Sequence, residues 1–380
     1  MLAENTPFCY KNPFVVEQNL LKSVGVEALD VIVERRMKAV MLTGLRQMEL
    51  RDVPEPKIKK DTDVLLKIER VGVCGSDVHY YETGRIGSQV VEYPYITGHE
   101  CAATVKAVGK SVTRVKAGDA VAIDPAVSCY TCAQCKLGRE NTCYKLRFLG
   151  TPGQGTGCLC EYLVMPQESC YPTKGAITLE QAVMCEPLSI GVYSVRQARM
   201  PKRANIAILG AGPIGLCTFV SARAENVETC YMTEKIPERV EAARAAGATW
   251  VGNPDKQDIV KEILKRQPYG VDVAFECAGQ QETIDQSVEL LRPGGTLILT
   301  GIPRTDRISL AIDLIRRKEI TIVNIRRQNQ CTQKAIDLIA SAKVNVDFMI
   351  THHFGLEQTQ EAFDLVAGYR DGAIKAMIHL

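Results

Sequence analysis

The sequence has no apolar run long enough to cross a bilayer, no excess of either charge, and no cysteine arrangement that reads as a disulfide framework. Each of these gaps removes a class of protein. Basic and acidic residues nearly cancel, 46 against 44, so neither nucleic acid nor an anionic membrane surface is an expected partner. The most apolar stretch near the N-terminus, Val24 to Val33, is broken by Glu27 and Asp30, which excludes a signal peptide or spanning helix there. Glu4, Glu17 and Glu34 nearby argue against an acidic-poor transit peptide, so the expected compartment is the cytoplasm. The cysteines number 15, an odd count, and several stand in apolar contexts, as Cys101, Cys185, Cys217 and Cys277 do. Thiols in such places pack as small hydrophobes. Cys74 and the cluster from Cys129 to Cys143 differ, because their spacing is chemical.

What is present points to an α/β protein of two domains, since 380 residues exceed one ordinary core. From Met37 short strands alternate with Pro and Gly punctuation: MKAVMLTG, QMELRDVPEPKI, DVLLKIERVGVCGSD. After Glu186 the text alternates helix and strand, with strands expected at Asn205–Leu209, Thr229–Met232, Val271–Phe275 and Thr296–Thr300 and an amphipathic helix at Glu238–Ala246. That alternation means a parallel, doubly wound sheet. Further helix and strand follow, and the closing AIKAMIHL is expected to rejoin the first domain. The expected division is an appended segment at 1–36, a mostly β domain at 37–186 and 317–380, and a nucleotide-binding domain at 187–316.

The strand NIAIL runs into Gly210, Ala211, Gly212, Pro213, Ile214 and Gly215, and a helical pattern follows. The first glycine permits a tight turn, the second lets backbone approach a pyrophosphate, and the third lets helix and strand pack closely with the helix N-terminus facing the anion. Glu234, at the end of the next strand, is placed to accept from the adenosine ribose hydroxyls and to repel a 2′-phosphate, which favours NAD over NADP. Lys235 and Arg239 stand beside it and pull the other way; Arg239 joins the expected cofactor contacts. The bland alternative is an ordinary sheet turn that needs glycine.

Cys129, Cys132, Cys135 and Cys143 are separated by two, two and seven residues of polar, turn-forming text. Four thiolates on a short loop suit a closed, tetrahedral structural zinc; an iron–sulfur cluster or a redox dithiol pair has similar spacing. A sparser set, Cys74 in GVCGSD, His99 and Glu100 in TGHE, and Glu186 in CEPLS, offers the mixed donors an open catalytic zinc needs.

From Met37 to Leu380 the chain resembles the zinc-dependent medium-chain alcohol dehydrogenases, and GVCGSDVHYYETGRIG followed by YITGHE resembles their polyol, or sorbitol-type, branch. The resemblance implies a GroES-like catalytic domain beside a Rossmann domain. It implies a catalytic zinc at Cys74, His99 and Glu100, with Glu186 bound directly or through water. It also implies a proton relay through Ser76 and His79, and a substrate pocket including Tyr80, Phe148, Thr151 and Arg326. The implied activity is oxidation of a secondary hydroxyl of a small polyol to a ketose with NAD, in a homotetramer or homodimer. A vicinal diol, threonine or a cyclitol is the alternative substrate, and a catalytically idle NAD-binding protein the alternative class. The chain departs from the branch at Arg327, where the polyol enzymes carry tyrosine; an extra cation there favours an acidic or phosphorylated polyol, or simply points to solvent.

Overall fold

The computed structural model describes residues 35–303 and 305–380; the expected appended segment, 1–36, falls almost wholly outside them. Alternating burial builds the first sheet. In Asp63–Gly72, Val64, Leu66 and Ile68 are buried and Lys67 faces solvent, the period of a strand with one covered face. This strand is the hub of a seven-stranded sheet. Glu100–Val108 pairs antiparallel along one side, while Tyr162–Pro166 and Lys375–His379 share the other, each antiparallel to it. Ala120–Ile123 and Cys170–Pro172 extend one edge, and Ile350–Gly355, parallel to Lys375–His379, forms the other.

The second sheet has six strands, all parallel. Their order is Trp250–Gly252, Thr229–Thr233, Asn205–Leu209, Val271–Glu276, Leu291–Leu299, Thr321–Asn324. Helices cover its faces, so its strands read as continuous apolar runs, as Ile206 to Leu209 do. The order reverses between Asn205–Leu209 and Val271–Glu276. A ligand crevice belongs at the carboxyl ends of those two strands, which is where the first of them meets Gly210.

Two boundaries differ from the sequence pattern. Thr321–Asn324 pairs with Leu291–Leu299, so the parallel sheet continues past residue 316; this short strand owes its conformation to its partner rather than to any alternation of its own. The helix Leu179–Ala198 crosses the expected break after Glu186. Its start is fixed by a capping box, Thr178 and Gln181 bonding reciprocally. Its apolar residues Met184, Cys185 and Leu188 share one core with Cys217 and Phe219 of the helix Pro213–Ala224 and with Ala102 and Ala122 of the first sheet. Burial on both sides keeps the helix unbroken, and residues 36–380 form one compact unit.

Candidate functional site

The strand Asp63–Gly72 ends two residues before Cys74, which caps the helix Gly75–Thr83 in an extended conformation. Glu100 opens the adjacent strand, Glu100–Val108, with His99 just before it, so pairing of the two strands brings the three residues together. One donor atom from each of Cys74, His99 and Glu100 lies within 4.8 Å of the others. The set fits a transition-metal ion, since bonds of about 2.0–2.3 Å to mixed sulfur, nitrogen and oxygen require that crowding.

Behind the set stands Asp77, which the sequence reading passed over. Its Oδ1 accepts from His99 Nδ1 at 3.2 Å, from Thr97 Oγ1 at 2.8 Å and from the Gly98 amide at 3.2 Å. Burial pushes this carboxyl upward, but the neighbouring His99 and the three hydrogen bonds outweigh it and hold it below its usual range. A carboxylate on Nδ1 fixes the ring and leaves Nε2 as the ligand nitrogen. The signal was an acid in the first turn of a short helix within GVCGSD.

Lys375 was also missed. It is fully buried on the strand Lys375–His379, with Nζ 2.5 Å from Glu100 Oε2 and 3.1 Å from the Val73 carbonyl. The ammonium therefore anchors one oxygen of Glu100. Gly72 makes room for this: a Cβ there would stand 2.5 Å from the same Oε2. A lone lysine in the apolar text AIKAMIHL was the available signal, because buried lysines need a partner. Glu186, buried in the middle of its helix, is not one of the three clustered donors. Burial pushes its carboxyl up to about 7, with the Glu100 charge adding and His99 opposing.

The other predicted residues gather nearby. Ser76 Oγ donates to Cys74 Sγ at 3.3 Å. His79 lies on the same helix, half-buried, its carbonyl accepting from Thr83. Tyr80 is buried and its hydroxyl reaches Gln89 Oε1 at 3.1 Å; Thr151 is buried as well. The Phe148 ring lies 5.4 Å from the His99 ring, and the Arg327 guanidinium carbon stands 3.4 Å above the Phe148 centroid. Arg326 is exposed; its carbonyl accepts from Asn141.

In the cysteine loop, Sγ–Sγ separations are 3.5 Å for Cys129–Cys143, 3.6 Å for Cys132–Cys135 and 3.9 Å for Cys132–Cys143. Four sulfurs at about 2.3 Å from a tetrahedral zinc sit about 3.8 Å apart, so the loop fits that ion. The Cys129 and Lys145 amides donate to Cys143 Sγ, each at 3.3 Å. The Thr131 hydroxyl, with the Thr131 and Cys132 amides, pulls the Cys129 thiol down to about 5, favouring the thiolate a metal binds.

At the glycine turn, Gly210 has φ 100° and Gly212 caps the helix Pro213–Ala224 with Pro213 at its first position, ahead of Ile214. A side chain at Gly215 would collide with the Gly210 carbonyl, so helix and strand approach closely only with glycine there. Glu234 bridges this turn: Oε2 accepts from the Ala211 amide at 3.0 Å, and Oε1 from the Lys235 and Ile236 amides. Arg239 is buried, its Nε and Nη2 committed to the Ala373 carbonyl. Lys235 pairs with Asp255 at 2.9 Å. Both cations that weighed toward NADP therefore have partners within the protein.

The family model for the alcohol dehydrogenase GroES-like domain matches residues 60–175, and that for zinc-binding dehydrogenases matches residues 213–341. The chain is 37% identical to a sorbitol dehydrogenase of Bacillus subtilis over 348 residues, 91% of this chain and 98% of that one. It is 33% identical to an L-idonate 5-dehydrogenase of Vitis vinifera, over 90% of this chain and 94% of that one. Among solved structures, an Escherichia coli oxidoreductase of unknown specificity superposes with a TM-score of 0.85 at 30% identity, covering 91% of this chain and 99% of the other.

Proposed function

The chain belongs to the zinc-dependent medium-chain alcohol dehydrogenase family, and on that premise we propose that it oxidises a secondary hydroxyl of a small polyol to a ketose with NAD as the hydride acceptor. The observation that carries the reading is the donor set of half-buried Cys74 with buried His99 and Glu100, braced by Asp77 and Lys375 and flanked by Glu186. Zinc, when bound there, would acidify a substrate hydroxyl and polarise the carbonyl that forms.

The remaining work belongs to the protein's own groups. Asp77 holds His99 in one orientation, and Lys375 restrains Glu100. The Ser76 hydroxyl, beside Cys74, takes up the substrate's proton and passes it toward His79 and solvent. Tyr80, Thr151, Glu186 and Arg326 offer a polyol several polar partners, which a monohydric alcohol would leave unpaired at a cost. The glycine turn and the helix Pro213–Ala224 receive the pyrophosphate, and Glu234 favours NAD by its charge. Cys129, Cys132, Cys135 and Cys143 would hold a second, structural zinc.

No helix among the described residues is long and apolar enough to cross a membrane; the proposed compartment is the cytoplasm. The proposed assembly is a homotetramer or homodimer, supported by the strand Thr321–Asn324, which ends the parallel sheet with one edge unpaired among the described residues.

The test is NADH formation by the zinc-loaded protein with sorbitol, xylitol, arabinitol, galactitol, inositol, 2,3-butanediol and threonine, repeated with NADP for the best substrate. An open-chain polyol should lead, with NAD preferred. A response to butanediol, threonine or inositol alone would end the polyol reading. Cys74→Ala should abolish turnover and leave NAD binding intact; activity at the wild-type rate would end the zinc reading.

A further inference from the structure

We propose that the substrate pocket contains an anion subsite at Arg327, so that the polyol oxidised carries a terminal carboxylate or phosphate; this rests on the polyol reading of the same site. The Arg327 guanidinium carbon stands over the Phe148 ring, 3.4 Å from its centroid, and Phe148 packs against the metal-set residue His99. Stacking uses the face of a guanidinium and leaves its edge donors free for a planar, two-point grip on an oxyanion. One of those donors, Nη1, is buried with no hydrogen-bond partner, and leaving such a group unmatched is costly.

No carboxylate among the described residues forms an ion pair with it. Two acids act on it through charge, Glu186 more strongly than Asp124, and Asp124 is taken by Gln328 Nε2 at 2.7 Å and by the Thr332 hydroxyl. The neighbouring Arg326 adds a second positive charge, and burial together with that charge drags the Arg327 pKa down to about 9 against the opposing pull of Glu186, Tyr80 and Asp124. Arg327 also holds a left-handed backbone, φ 55°, a conformation costly for a side-chain-bearing residue and met at binding sites. A bound anion would supply the missing partner.

The experiment compares matched pairs, sorbitol against gluconate and against sorbitol 6-phosphate, with wild type and Arg327→Gln. Wild type should favour one of the anions by at least about 10-fold in kcat/KM, gluconate naming a carboxylate and sorbitol 6-phosphate a phosphate. In Arg327→Gln the anion-to-neutral ratio should fall about 10- to 100-fold, the worth of a buried charge-assisted pair. A neutral preference in wild type, or an unchanged ratio in the variant, would overturn the subsite. If no polyol is oxidised, the dehydrogenase reading fails separately. The subsite is then read by thermal shift with the same compounds: stabilisation by an anion but not by sorbitol, lost in Arg327→Gln, supports it, and equal shifts in both proteins overturn it.

A different cluster carries a second inference independently. Glu180, in the first turn of the helix Leu179–Ala198, meets His353 and His379 from the parallel strands Ile350–Gly355 and Lys375–His379. His353 Nδ1 lies 2.9 Å from His379 Nε2, and Glu180 Oε1 lies 3.6 Å and 3.5 Å from those two atoms. Ligands about 2.05 Å from one ion stand about 2.9 Å apart in octahedral and 3.3 Å apart in tetrahedral geometry. The geometry points to a third, solvent-open site for a divalent transition metal such as zinc, tying the helix that carries Glu186 to the strand that carries Lys375.

Calorimetric titration of zinc chloride into protein prepared with two zinc ions per chain tests it. Wild type and His352→Gln should take up one ion more per chain than Glu180→Gln or His353→Gln. His352 is the proper control because its ring turns to Thr351 and Asp371. No added ion in wild type, equal uptake in the Glu180 and His353 variants, or its loss in His352→Gln would overturn the site.

Discussion

Asp77 gathers three donors on one buried oxygen, so its removal disturbs more than the imidazole it faces. Asp77→Ala should weaken zinc retention about 10- to 100-fold and lower stability by about 1–3 kcal/mol through donors left unmatched; zinc retained against a chelator and a thermal melt measure both. Glu186 makes a pH prediction. Its folded pKa of about 7 exceeds the ordinary 4.5, so the folded chain holds that proton more tightly than the unfolded one. The resulting stabilisation is complete below about 4.5 and is lost as pH rises through about 7. Metal-stripped wild type should therefore lose melting temperature relative to Glu186→Gln between about pH 5 and pH 8; parallel curves would show that another group titrates. Such roles were hard to read from one chain. Cys74, His99 and Glu100 announce themselves by residue type and motif, whereas Asp77 and Lys375 become meaningful only when strand pairing sets them against His99 and Glu100.

The cysteine loop is an element with almost no core of its own. Leu137 and Tyr144 are exposed, and its only regular structure is the short helix Ala133–Lys136 and a single 3₁₀ turn, Glu140–Thr142. Its order should then depend on metal: Cys135→Ser is expected to release one zinc per chain, seen by elemental analysis, and to make the loop the first site of proteolysis. Retention of both zincs would contradict this. The spacing of these cysteines was legible because local loops bring near residues together whatever the rest of the chain does. The helix Leu179–Ala198 was not legible as one piece. The change of pattern after Glu186 suggested a break, while burial against both sheets keeps the helix continuous through Pro187.

For the whole molecule, the last five-residue strand has weight out of proportion to its length. Lys375–His379 sits inside the seven-stranded sheet, between Asp63–Gly72 and Ile350–Gly355, and it brings the counter-charge to Glu100. A chain ending at Ile374 should expose two sheet edges and strand a buried carboxylate, losing the cooperative melt by circular dichroism. Lys375→Met, which keeps the strand, should melt cooperatively at a lower temperature. If the two behaved alike, the lysine rather than the strand would be the essential part. The sequence by itself determined the parts governed by short-range rules: the glycine turn between strand and helix, the clustered thiols, the alternation of helix and strand, and the motif residues Cys74, His99 and Glu100. Tertiary structure decided how those parts are completed, joining Lys375 to Glu100 across 275 positions of chain, Asp77 to His99, and Arg327 to Phe148. Local spacing constrains only what lies within a few residues, and the partners of a buried charge are chosen by the packing of strands that meet only once the chain has folded.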